Sequence, residues 1–259
     1  MKFALVNGVK TEAQPGLKGI CLYCEKDRDM IAKCGKVKIW HWAHKSNASC
    51  DPWWENETPW HRAWKNHFPE AWQESSHVDS ATGEKHIADI KTAAGLVIEF
   101  QHSAIQPEEV QSREAFYKNM VWVINGTRLK RDYPSFFKGF KGLKPLNIPG
   151  FFLSLFPNKC FPESWLNSSV PVYFDFQGLN PIGQTDRLRD PLWCLFPGRA
   201  EGFAVVAGVP REDFIKFSSK DPRLLFAREM FSNISQVFRE KGISAAGRGY
   251  PKVVPYRWR

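Results

Sequence analysis

The run from Leu96 to Asn125 constrains the fold most. Leu96-Val97-Ile98-Glu99-Phe100-Gln101 is rich in β-branched and aromatic residues and reads as a strand. Pro107 then opens a helix with Glu108 and Glu109 in its first turn, where a missing amide costs little and acids suit the helix dipole. That helix is expected to run to about Asn119 and carries Arg113 and Tyr117. Val121-Trp122-Val123-Ile124 is a continuous apolar strand, and Asn125-Gly126 ends it. Strand, helix and strand within about thirty residues predict a βαβ unit with parallel strands, and hence an α/β layer.

His86-Ile87-Ala88-Asp89-Ile90, just upstream, reads as the partner strand of a hairpin. A three-residue loop, Ala93-Ala94-Gly95, with Gly95 in the left-handed region would set Asp89 opposite Glu99. Gln101 falls on the same face as Glu99, because side chains alternate with period two. Opposed carboxylates repel, and a divalent cation such as Mg²⁺ is the natural compensation. The alternative is two solvated acids on an exposed face, which the apolar flanks disfavour.

Between Asp51 and Trp72, the positions Trp60, Ala63, Trp64, His67, Phe68 and Trp72 recur at helical spacing, with Pro59 in the first turn. Glu57, His61 and Lys65, four residues apart, would line one edge of that apolar stripe. The plain alternative is a surface network worth about 0.3–0.5 kcal/mol per pair.

The N-terminal stretch opens with a short strand, Phe3 to Val6, and a loop marked by Asn7-Gly8 and Pro15-Gly16. It then offers Cys21-Leu22-Tyr23-Cys24, Cys34, His41-Trp42-Ala43-His44 and Cys50. Structural zinc takes four such ligands in a tetrahedron, and Cys-x-x-Cys supplies two from one turn. Cys21, Cys24 and His44 are the preferred three. His41 fills the fourth place, with Cys34 or Cys50 able to replace it. A redox dithiol usually accompanies a βαβ pattern, absent from this stretch, and unliganded structural cysteines are the remaining alternative. Six Cys in 259 residues do not make a disulfide scaffold.

Thirty-six Lys and Arg against 27 Asp and Glu give a formal charge of +9, which suits a polyanionic partner. Residues 128–144 concentrate it. Lys138, Lys141 and Lys144 follow Arg128, Lys130 and Arg131, interleaved with Tyr133, Phe136, Phe137 and Phe140, a mixture that suits a nucleic-acid backbone and stacked bases. It also suits a loosely packed linker. A basic tail follows Arg239, with Lys241, Arg248, Lys252, Arg257 and Arg259. The short polar N-terminus and the lack of a long apolar run lead to the expectation of a cytoplasmic protein with no membrane span. Domain boundaries are expected near 52 and 145, the second where Pro and Gly become frequent. The third region, 146–259, is expected to be mixed α+β, with strands in 170–176, 192–196 and 203–209 and a helix over 224–240.

Taken in order, these motifs resemble the competence protein CoiA-like family of the PD-(D/E)xK nuclease superfamily. The resemblance rests on Cys21/Cys24 with His41-Trp42-Ala43-His44, then Glu57, His61 and Lys65. It continues with His86 in the basic place before Ala88-Asp89, then Glu99-Phe100-Gln101 with Ser103 and Ile105, then Arg113 and Tyr117. It covers roughly residues 20 to 125. It implies a restriction-endonuclease-like core and DNA hydrolysis dependent on Mg²⁺ or Mn²⁺. Asp89 and Glu99 would then hold the metal, with Glu57 completing its shell, and Gln101 would orient the water. Lys65 and Arg113 would neutralise transition-state charge, and His61 would orient Glu57 or contact phosphate. The alternative is a non-catalytic DNA-binding or processing factor in uptake, recombination or repair. A third possibility is a zinc-stabilised interaction protein with no nucleic-acid role.

Overall fold

A computed structural model describes residues 1–26, 28–46, 50–80, 82–179 and 186–245. The basic tail positions Arg248, Lys252, Arg257 and Arg259 lie outside them. The chain is mixed α/β and divides into two compact units, Met1–Lys91 and the residues from Thr92 on.

The first unit opens with a five-stranded antiparallel sheet. Its strands are β1 (Phe3–Val6), β2 (Val9–Glu12), β3 (Lys18–Ile20), β4 (Asp29–Lys33) and β5 (His41–His44), in the order β2-β1-β3-β4-β5. Asn7 and Gly8 both have positive φ, 50° and 80°, as a two-residue hairpin turn between Val6 and Val9 requires. One face packs a small core of Met1, Ala4, Ala13, Cys21, Met30 and Trp42.

Next comes α1 (Pro59–Lys65), shorter than its apolar spacing predicts. Thr58 caps it, its hydroxyl accepting from the His61 amide at 3.2 Å, and Pro59 takes the first position. Asn66 ends it, and after Pro69 the chain makes only a 3₁₀ turn, Glu70–Trp72. Glu57 therefore precedes the cap and is not on the helix, so the expected single edge of Glu57, His61 and Lys65 is not formed. The unit closes with the antiparallel pair β6 (Gln73–Val78) and β7 (Lys85–Lys91), registered Gln73 to Ile90 and Ser75 to Ala88.

The second unit begins with the turn Thr92–Leu96. The Thr92 amide donates to the Leu96 carbonyl at 2.9 Å, and Gly95 has φ +77°, the left-handed geometry expected. β8 (Val97–Gln101), α2 (Pro107–Tyr117) and β9 (Met120–Asn125) form the βαβ unit, with Val97 beside Met120 and Gln101 beside Ile124 in a parallel ladder. Every residue of both strands is buried. α3 (Asp132–Phe140) and β10 (Lys144–Pro145) follow, then β11 (Phe151–Ser154), β12 (Val172–Asp175), β13 (Leu192–Leu195) and β14 (Ala204–Val209), and finally α4 (Arg211–Lys220) and α5 (Arg228–Glu240). The strand order in this unit is β10-β11-β14-β13-β12-β9-β8.

The expected boundary at 145 is not present. β10 pairs with β11 across it, and β12 lies parallel to β9 with Val172 beside Trp122. The Pro and Gly signals there mark turns between strands of one sheet. Residues 128–144 are not a linker either. Tyr133 and Phe136 of α3 are buried, with Phe136 stacked on Phe176 at 4.6 Å between ring centres and 5.0 Å from Trp193.

Candidate functional site

Two clusters in the first unit carry chemistry. The first is a Cys₃His group. The ligand atoms of Cys21, Cys24, His44 and Cys50 all lie within 4.8 Å of one another. Sγ of Cys50 is 3.3 Å from that of Cys21 and 3.5 Å from that of Cys24, and His44 Nε2 is 3.7 Å from Cys24 Sγ and 2.8 Å from Cys50 Sγ. A tetrahedron with zinc–sulfur arms of about 2.3 Å has edges of about 3.8 Å, so the residues fit a structural metal such as zinc.

The electrostatics fit as well. The hydrogen bond from Cys50 lowers the Cys21 thiol to about 4 against the opposing effect of burial, with backbone amides of Tyr23 and Cys24 assisting. The same hydrogen bond pushes the Cys50 thiol up. Packed this closely the thiols compete for ionisation, and a cation among them removes the competition.

Cys50 therefore takes the place expected for His41. Residues 41 and 44 are an odd number apart on β5, so they face opposite ways. His44 shares a face with the buried Trp42, whereas the His41 Nδ1–H donates to the Ile39 carbonyl at 2.8 Å. Cys34, at the end of β4, packs against the small core and is not in the group.

The second cluster surrounds Lys65 on α1. Its buried ammonium lies 2.8 Å from Glu74 Oε1, 3.0 Å from Glu57 Oε1 and 3.9 Å from Asp89 Oδ1. His61, four residues earlier on the helix, places Nε2 at 2.7 Å from Asp89 Oδ2. Arg62 reaches Glu57 Oε2 at 2.5 Å. Glu57, His61 and Lys65 thus meet although Glu57 is off the helix. His61 bonds Asp89 directly.

Sequence reasoning missed Glu74, which nothing in its neighbourhood marks. It sits on β6 between Gln73 and Ser75, whose partners Ile90 and Ala88 flank Asp89, and its φ of +47° takes it out of extended geometry. Its carboxylate accepts from the amides of Lys2 and Phe3 at 2.7 and 3.2 Å, tying β1 to the Lys65 cluster. Burial would raise its pKa, but Lys65 and the N-terminal ammonium hold it below the ordinary value. Burial opposes ionisation at Glu57 too, and Lys65 with the Arg62 hydrogen bond lowers it from 4.5 to about 2.

A prediction follows from these two acids. Their folded-state values lie below the unfolded ones, so the stabilisation they give is complete above about pH 4.5 and is lost as pH falls towards 2. Urea midpoints measured down that range should fall, and less steeply in Glu74→Gln. At neutral pH that substitution should cost about 3 kcal/mol, the low end for a broken buried pair, because Lys65 keeps Glu57.

His86 is held between two acids. Its Nδ1 is 2.8 Å from Asp51 Oδ1 and its Nε2 is 2.8 Å from Glu84 Oε1, while its ring stacks on Trp53 at 3.2 Å. Asp51 also accepts from the Ile87 amide at 2.6 Å. These bonds fix the start of β7 next to the residues that follow Cys50.

In the second unit, Glu99 lies on β8 with Oε2 at 3.1 Å from Arg113 Nη1 of α2. Arg113 also bonds Glu109, its neighbour one helical turn back. The guanidinium expected to neutralise a transition state is thus paired to carboxylates. Gln101 is buried and donates to the Ser103 carbonyl at 3.2 Å. Lys138, Lys141 and Lys144 are exposed, but of the interleaved rings only Phe137 is, with Lys141 Nζ 5.8 Å from its centre.

The buried parallel βαβ unit, with Glu99 on β8, lies within a segment that is similar to a known domain. Residues 85–141 match the family model of the competence protein CoiA nuclease-like domain, a span that includes Asp89, Glu99, Gln101 and Arg113. Over that segment the chain is similar to the CoiA nuclease-like domain. No curated protein and no solved structure matches. Among the described residues no helix is long and apolar enough to cross a membrane.

Proposed function

We propose that this chain is a metal-dependent DNA nuclease of the PD-(D/E)xK type, with a separate structural zinc. The observation that carries the reading is the convergence of His61 and Lys65 on Asp89, in a chain with a CoiA nuclease-like segment. Asp89 keeps 18% of its side chain open to solvent despite that backing, as a carboxylate that exchanges water for a cation must. A hard divalent cation, Mg²⁺ or Mn²⁺, would be held by Asp89 and Glu99, and would polarise a phosphodiester and acidify a water. His61 orients the Asp89 carboxylate through its 2.7 Å bond. Lys65 supplies fixed positive charge next to the same group. Gln101, which carries no charge, would orient water by hydrogen bonding.

The test is cleavage of single-stranded, duplex and branched DNA with and without Mg²⁺ or Mn²⁺. Cleavage that survives removal of divalent metal would overturn the mechanism. The Arg113–Glu99 ion pair favours a second reading, a non-catalytic DNA-binding or processing factor, because a guanidinium already neutralises one expected metal ligand. Salt-dependent DNA binding with no cleavage under any metal would select it.

DNA contacts are proposed to include the exposed Lys138, Lys141 and Lys144. Replacing all three by Ala should shallow the dependence of log affinity on log salt by up to about 2.7, if each neutralises one duplex phosphate. An unchanged slope would take these three lysines off the DNA path.

A further inference from the structure

β8 and β9 run parallel, so their carboxyl ends open on one edge of the sheet, where α/β proteins commonly bind ligands. A cavity of about 450 Å³ lies there, within the usual range for small-ligand sites. His102, directly after Gln101, and Asn125, the last residue of β9, line it. Its deep wall is apolar, made by Ile105, Ile124, Phe161 and Trp165, all buried. Its outer wall is charged. Arg128 and Arg131 are both exposed, and the first turn of α3 begins between them and Ser135.

We infer that this cavity takes one nucleotide unit of a DNA strand, with the base against the apolar wall and the phosphate against Arg128 and Arg131. The division of the lining matches the division of the ligand. Arginine is suited to phosphate through paired N–H donors, and the amino-terminal turn of α3 adds favourable potential. Asn125 Nδ2 donates to His102 Nδ1 at 2.9 Å, which holds the imidazole in the lining. Asp132 and Glu163 also line the cavity. They offset the two arginines, so phosphate alone gains little there, and they accept amino protons from a base edge. The choice of a nucleotide rests on the nuclease reading. It adds a strand-holding subsite beside the segment Glu99-Phe100-Gln101.

The test is calorimetric titration of the full-length, zinc-loaded protein without added divalent metal, using dCMP, deoxycytidine and inorganic phosphate. Saturable binding of dCMP is expected, with the other two at least tenfold weaker. Arg128→Ala with Arg131→Ala, both at exposed positions, should weaken dCMP at least tenfold and leave deoxycytidine nearly unchanged. Ser135→Trp, also exposed and on the cavity wall, should weaken dCMP and deoxycytidine alike. Single-stranded oligonucleotides with and without a 5′-phosphate then separate two sources of the same chemistry. A preference for the phosphate marks a strand end, and equal binding marks an internal unpaired nucleotide. No saturable dCMP binding, or equal dCMP affinity in the double-arginine variant, would overturn the inference. Cleavage measured alongside keeps the two ideas apart. Cleavage without dCMP binding sinks the subsite and spares the nuclease, and dCMP binding without cleavage does the reverse.

Discussion

Asp89→Asn is expected to lower metal-dependent DNA cleavage at least a hundredfold, roughly what loss of several kcal/mol of charge stabilisation by a metal implies. The fold should survive at a small cost. Two facing carboxylates would make the amide stabilising, since it relieves their repulsion, and that is the expectation from the sequence pattern alone. The structure changes the sign. Lys65 already stands between Glu74 and Asp89, and His61 bonds Asp89 Oδ2 at 2.7 Å. The amide keeps the shape but weakens a charge-assisted hydrogen bond, a loss of about 1 kcal/mol. Glu99→Gln should abolish cleavage to a similar extent, and it leaves Arg113 the Glu109 carboxylate. Single-turnover cleavage and urea denaturation of each variant separate the two effects. Wild-type cleavage by either variant would remove that residue from the metal site.

The second large effect is expected at the cysteine group. Cys21→Ser, or chelation of metal, should unfold β1 to β5 while leaving the β8–α2–β9 unit protected. Among the described residues the buried cluster on this sheet is Met1, Ala4, Ala13, Cys21, Met30 and Trp42, two of those six are alanines, and the apolar residues packed around it are only partly buried. So little apolar area cannot hold five short strands, and structural zinc supplies about 10–16 kcal/mol in small zinc-dependent peptides. Elemental analysis should find about one zinc per chain, the number a single four-ligand group holds. Hydrogen exchange before and after chelation gives the structural readout, independent of any cleavage assay. Full protection of β1 to β5 in metal-free protein would make the cysteines purely packing residues.

The parts legible in the sequence are those whose signal is long and local. Pro107 with Glu108 and Glu109 announces α2, and the apolar run Val121–Ile124 announces β9, because burial on both faces leaves no polar interruption. The N-terminal sheet is mostly illegible. Its strands are three to five residues long, and Val9–Glu12 reads Val-Lys-Thr-Glu, with no apolar alternation to mark a buried face. α3 is hidden by its charges, since Lys138 and the nearby arginines draw attention from the buried Tyr133 and Phe136. The fourth cysteine ligand turns on strand parity. His41 and His44 look like a pair in sequence, and only the knowledge that they lie on a strand sends them to opposite faces. Glu74 is a harder case. A buried carboxylate is defined by its partners, Lys65 and the amides of Lys2 and Phe3, all at least nine residues away.

The position of β12 has a practical consequence for dissecting this protein. A fragment cut after residue 145 retains the whole span of the family match, but it loses the strand that lies along β9. Met120 to Asn125, all six buried in the full chain, would then present an unpaired apolar edge. Such an edge is a template for pairing with another chain. The fragment is therefore expected to aggregate where the full-length protein stays monodisperse. Any truncation meant to isolate the nuclease-like segment has to keep β12, β13 and β14, so that β9 stays an interior strand.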